Sequence, residues 1–119
     1  MLPAHHRMRA PGDFRATIRG GTRGKSTSLM VHLQSPDGTE EADQDPTLVG
    51  FVVPKTVGNA VIRNRLTRQL KHLMAARIRS IPPGQRIVIR VFPAARGKTS
   101  DELGVELDRA VARALTAKR

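Results

Sequence analysis

The chain has 119 residues, the length of one domain, and no cysteine, which excludes a disulfide framework, a thiolate metal site and a cysteine nucleophile. Lys and Arg number 21 against 10 acids, a net charge of +11, which points to a polyanionic partner, either nucleic acid or an anionic membrane surface. No apolar run approaches the roughly 18 residues of a membrane span, and residues 1–10 lack the apolar stretch of a secretory signal. The expectation is a single cytoplasmic domain over 1–119, with 1–8 loosely held.

In chain order, residues 11–19 carry Asp13 early and Phe14 and Ile18 one helical turn apart, a short helix that Gly20-Gly21 ends. Residues 22–26 read as a short edge strand. Residues 28–34 alternate Leu29, Val31 and Leu33 against Met30 and His32, which is a strand. The stretch 35–47 holds Asp37, Glu40, Glu41, Asp43 and Asp45 with no Lys or Arg, and opens on a Pro36-Asp37-Gly38 turn. It reads as an acidic surface loop facing away from a polyanion and joining two strands as a long hairpin. Residues 48–53 are apolar on both faces, hence a more buried strand.

Residues 59–80 form the strongest helix, with Asn59 as cap after Gly58. Residues 86–92 alternate Ile87, Ile89 and Val91 against Arg90 and Phe92, another strand. Thr99-Ser100-Asp101-Glu102 supplies a capping box for a helix over 103–117, whose stripe is Leu103, Leu107, Ala110, Val111 and Ala114. The order α-β-β-β-α-β-α, with helices on one face of the sheet, is an α+β two-layer sandwich.

Charge is unevenly placed. From 46 to 100, a span of 55 residues, there is no acid and there are 11 basic residues. At about 100° per residue, Ile62, Leu66, Leu70 and Leu73 fall within a sector of about 80°, the buried face of the helix. Asn64, Arg65, Arg68, Lys71 and His72 occupy the opposite side, with Arg63 flanking the stripe. A solvated face normally mixes both signs for pairing along the helix. An acid-free ridge of Arg forks suits a row of phosphates.

The run Gly58-Asn59-Ala60-Val61-Ile62-Arg63-Asn64-Arg65-Leu66, followed by Arg68 and preceded by Lys55, closely resembles the signature of the bacterial ribonuclease P protein subunit. Asp13-Phe14, Gly20, the strand Val49-Gly50-Phe51-Val52-Val53 and the run from Ile87 to Ala94 extend the resemblance through most of the chain. It implies an α+β sandwich shared with a ribosomal-protein domain and one domain of DNA gyrase. The sheet would be four-stranded and mixed, with a left-handed β-α-β crossover where general rules give a right-handed one. It implies the protein cofactor of a ribozyme. The RNA subunit, with Mg²⁺ at its own active site, hydrolyses the phosphodiester joining the 5′ leader to precursor tRNA. The protein binds the RNA subunit and the leader, is monomeric within the holoenzyme, and carries neither a catalytic residue nor a cofactor.

Carried over by position, Arg63, Asn64, Arg65, Arg68 and Lys71 contact the catalytic RNA. Phe14, Ile18, Lys55, Asn59 and Arg90 lie at the leader site, where Phe14 is placed to stack on a base. This chain departs from the family at four places. The second aromatic of the early helix is Ile18, a strand position often aromatic aligns with Val31, Ser-Lys-Lys becomes Pro54-Lys55-Thr56, and a helix Lys becomes Thr67. The leader site is then expected to lean on Arg90 and Lys98.

Other signals are weaker. Gly20-Gly21-Thr22-Arg23-Gly24-Lys25-Ser26 resembles a phosphate-binding loop, but Arg19 stands where the first Gly is required. His5, His6, His32 and His72 have no zinc spacing. The acid-free half offers no carboxylates for a protein-borne nuclease site. A membrane-surface helix needs apolar bulk beside the charge, and the stripe is needed for the core. A structural RNA-binding protein of similar fold is the remaining alternative.

Overall fold

A computed structural model describes residues 2–35 and 46–117. The expected order of elements holds: α1 (Pro11–Gly20), β1 (Thr22–Lys25), β2 (Leu29–Gln34), β3 (Leu48–Val52), α2 (Ala60–Arg77), β4 (Arg86–Val91) and α3 (Ser100–Thr116). The three helices accompany one four-stranded mixed sheet in the order β1-β2-β4-β3. β1 and β4 each pair antiparallel with β2, and β3 pairs parallel with β4.

The helix ends follow from their caps. Asn59 Oδ1 accepts from the Ile62 N–H at 3.0 Å and opens α2. At α3, Thr99 Oγ1 accepts from Glu102 N–H at 3.2 Å while Glu102 accepts from Thr99 N–H at 3.0 Å, the reciprocal box the sequence spells. Pro11, lacking an N–H, stands in the first turn of α1.

The long hairpin between β2 and β3 does not form, because β4 lies between them. The reason is burial. Ile87, Val88, Ile89 and Val91 are all fully buried, so β4 takes the centre of the sheet. β3, expected to be the more buried strand, occupies an edge, with Leu48, Phe51 and Val52 only half-buried. The N-terminal segment covers that edge: Met8 N–H donates to Val49 O at 2.9 Å and Arg7 bridges Val49 in parallel. Leu2 is 0% exposed within the main core and Met8 is buried, while Pro3, Ala4 and His5 between them are exposed. The acidic positions 36–45 lie outside the described residues. At the loop's far end Thr47 is buried, its hydroxyl donating to Pro82 O at 3.2 Å and accepting from Gln85 N–H at 3.3 Å.

The helices occupy both faces of the sheet, which corrects the two-layer expectation. Registers align Leu33, Ile87 and Val49, and then Val31, Ile89 and Phe51, on one face. Leu66, Leu70 and Met74 of α2 and Leu103, Leu107, Ala110 and Ala114 of α3 join them in the main core. A Cβ at Gly24 would collide with the Ala110 carbonyl and the Ala114 amide, so β1 lies directly under α3. His32, Val88 and Gly50 point the other way, and α1 covers them: the Phe14 ring lies on Gly50, and Arg86 pairs with Asp13 at 3.4 Å.

Candidate nucleic-acid interface

On α2, Leu66, Leu70 and Met74 are buried while Asn64, Arg65 and Arg68 are exposed on the opposite side. Arg63 and Lys71 are half-buried at the flanks. The ion pairs among the described residues are Arg77–Asp108, Arg86–Asp13 and Lys98–Glu106, so none of the ridge cations is neutralised within the described fold. Thr67 Oγ1 donates to Arg63 O at 2.9 Å, keeping that short side chain against the helix. The acid-free ridge is thus set on a rigid element whose other side is core.

The second face of the sheet is basic where α1 leaves it open. Registers place Lys25, Met30, Arg90 and Val52 in one row across the four strands. Lys25 Nζ sits 5.6 Å from the centroid of the Phe92 ring. Ile18 of α1 is 38% exposed, and Lys55 and Asn59 are exposed in the turn after β3. Asn59 already uses its carbonyl oxygen for the cap, which leaves its amide N–H groups for a ligand.

Phe14 is also placed at a cleft of about 270 Å³ beside β3, lined by Arg7, Arg9, Gly50, Thr67 and Lys71 among others. Lys71, expected with the ridge, and Phe14, expected at the leader site, thus share one cavity. Arg7 and Arg9 were missed in the sequence; the signal available was a pair of cations flanking Met8, which is buried.

One expectation about the sheet changes. Val31 is buried in the main core and cannot reach the α1 side; the β2 residue facing it is His32, 3% exposed, with no hydrogen-bond partner on either ring nitrogen among the described residues. Burial lowers the His32 imidazole below its ordinary value, with Arg23 and Arg90 adding to the effect. Lys98, expected to support the leader site, holds its ammonium 3.2 Å from Glu106 Oε2. Burial works to raise the Glu106 carboxyl, but hydrogen bonds from Ser28 and Lys98 outweigh it and hold it below its ordinary value. Residues 20–26 end α1 and form β1, with no helix following a glycine-rich turn. No group of three or more His, Asp or Glu side chains that could hold a metal ion occurs among the described residues.

A mixed sheet bearing an acid-free cationic helix and an aromatic, basic cleft defines an α+β protein built to bind nucleic acid. The family model described as "Ribonuclease P" matches residues 2–115. The "Ribonuclease P protein component" of Acidothermus cellulolyticus is 41% identical over 118 residues, covering 99% of this chain and 95% of the relative. That of a Nocardioides species is 42% identical over 113 residues, covering 95% and 94%. The fold is similar to the solved RNase P protein of Thermotoga maritima, with a TM-score of 0.74 at 20% identity over 95% of this chain and 98% of that one. It is also similar to a Staphylococcus aureus RNase P protein mutant "with defective mRNA degradation activity", with a TM-score of 0.80 at 22% identity over 92% and 88%.

The chain belongs to the ribonuclease P protein family. It is a component of the tRNA-processing endoribonuclease holoenzyme, and its partner is the ribonuclease P RNA. No helix among the described residues is long and apolar enough to cross a membrane.

Proposed function

We propose that this chain grips the catalytic RNA through Arg63, Asn64, Arg65, Arg68 and Lys71, and the single-stranded 5′ leader of precursor tRNA along the α1 side of the sheet. Phe14, Ile18, Lys55, Asn59 and Arg90 form the leader site in this reading. The acid-free ridge of α2 carries it. Exposed cations without internal partners repel one another, and phosphates relieve that cost while releasing counterions. On the sheet side, Phe14 offers a stacking surface and Arg90 a fork for the leader backbone.

The chemistry belongs to the RNA. Mg²⁺ held by the RNA subunit would supply the charge stabilisation and water activation that phosphodiester hydrolysis needs. The protein's work is to hold the precursor in register and to screen the charge of two closely apposed RNAs. The crossover β3-α2-β4 is taken as left-handed, the chain as one domain over 1–119 with its acidic loop turned from the RNA, and the working form as a cytoplasmic monomer within the holoenzyme.

The deciding experiment is reconstitution with the cognate RNA subunit at low Mg²⁺, assayed by 5′ cleavage of precursor tRNA. Stimulation is expected, together with tighter binding of leader-bearing precursor than of mature tRNA. Absence of stimulation overturns the reading, and equal effects on precursor and mature tRNA remove the leader from it.

A further inference from the structure

We propose that His32 is a positioning residue for leader binding: its neutral ring completes the seat on which α1 holds Phe14, and protonation of that ring unseats the helix. This rests on the reading of Phe14 as part of the leader site. Registers set Arg23, His32, Val88 and Gly50 in one row across the four strands, and α1 lies over that row. The Phe14 ring sits on Gly50 at one end. His32 is two strands away, about 10 Å at ordinary strand spacing, and is closed off beneath the same helix.

A buried imidazole normally has a partner. This one has none among the described residues, and neither has Gln34 Oε1, on the next side chain along the same face of β2. Thr17, the buried residue of α1, donates its hydroxyl to Asp13 O at 2.8 Å and so spends it inside the helix. The charged groups that face the ring are Arg23 from β1 and Arg90 from β4. Arg86 of β4 pairs at 3.4 Å with Asp13, the one acid of α1, while Arg15 and Arg19 of α1 are exposed. A proton on His32 therefore adds positive charge to a desolvated, already cationic row. Burial, and then Arg23 and Arg90, oppose that charge while the helix is down. With the helix lifted, the ring is hydrated and takes a proton near 6.5. Acid thus favours the lifted helix, and lifting takes Phe14 off Gly50. The core side of α2 packs on the opposite face of the sheet, so the cationic ridge does not share this dependence.

The test compares holoenzyme affinity for precursor and for mature tRNA at pH 8 and pH 5.5. In the parent protein the precursor-over-mature ratio should fall about fivefold in acid, inside the tenfold ceiling set by one unit below 6.5. His32→Phe and, independently, His32→Gln take up no proton there, and each should give a ratio that does not change with pH. A ring that only filled space would leave the parent ratio flat and lower the variants equally at both pH values. Amide exchange of the free protein, corrected for intrinsic rates, reads the helix without RNA. Between the same two pH values α1 should lose protection relative to α2 in the parent and keep it in both variants. A flat parent ratio overturns the proposal, as does a fall that both variants retain, or α1 protection that does not change. A parent with no preference for precursor at pH 8 removes the leader reading instead, and the exchange measurement then still decides whether His32 seats α1.

Discussion

Phe14 rests on Gly50 so closely that a Cβ at position 50 would lie 2.5 Å from Phe14 Cζ. Gly50→Ala must push the ring away from β3, since the strand backbone is paired to β4 through the Gly50–Val88 register. The displaced atoms are the far end of a side chain, so the stability loss should be modest, about 1 kcal/mol. Leader-bearing precursor should lose affinity in the holoenzyme while mature tRNA is bound as before. Filter binding with both RNAs checks this, and equal losses would separate Phe14 from the leader.

The ridge on α2 should show itself in salt dependence. Arg65→Ala with Arg68→Ala removes two exposed cations that have no ion-paired acid among the described residues. Binding to the catalytic RNA should weaken, and the slope of log affinity against log salt should fall by about one for each arginine that held a phosphate. Thermal stability should shift little, because neither side chain packs in the core. An unchanged slope would take this face out of the RNA contact.

Local chemistry made much of this legible. The Thr99–Glu102 box and the Asn59 cap are encoded within four residues, and the 3.6-residue period separates Leu66 and Leu70 from Arg65 and Arg68. Strand order is a non-local matter. Nothing near Leu48–Val52 says that β4 will intervene and leave β3 at an edge, because that outcome is decided by which strand buries both faces. The shift from Val31 to His32 on the α1 side shows how sensitive a strand is to register, since neighbouring residues face opposite ways. Lys98 is another non-local case. Its partner Glu106 lies on the next helix, and only the packed structure brings the two to 3.2 Å.

That same pair predicts behaviour in acid. Glu106 Oε1 accepts from the Ser28 N–H at 3.0 Å, and the Lys98 ammonium sits at Oε2. The folded carboxyl is held below the ordinary glutamate value of 4.5, so the fold favours its charged form. Its contribution is complete above that value and is lost as pH falls through the folded one. Glu106→Gln should cost about 1–3 kcal/mol at neutral pH and flatten the acid limb of the stability curve. Urea unfolding across a pH series measures both effects; an acid limb as steep as that of the parent protein would assign it to other carboxylates.

His32 should act in the same direction at a higher pH and for the opposite chemical reason. Its ring has no partner on either nitrogen among the described residues, burial disfavours its charged form, and Arg23 and Arg90 add to the effect. The folded imidazole therefore resists protonation, while the unfolded chain takes up a proton near 6.5. Stability from this residue is complete above that value and declines as pH drops below it, until the folded ring also titrates. His32→Phe removes the titration and the two unpaired nitrogens together. The variant should match or exceed the parent at pH 8, and its advantage should widen steadily towards pH 5, as read by thermal unfolding in matched buffers. An advantage that stays constant over that interval would mean that the imidazole has a hydrogen-bond acceptor or a water within the fold and is not a neutral, isolated ring.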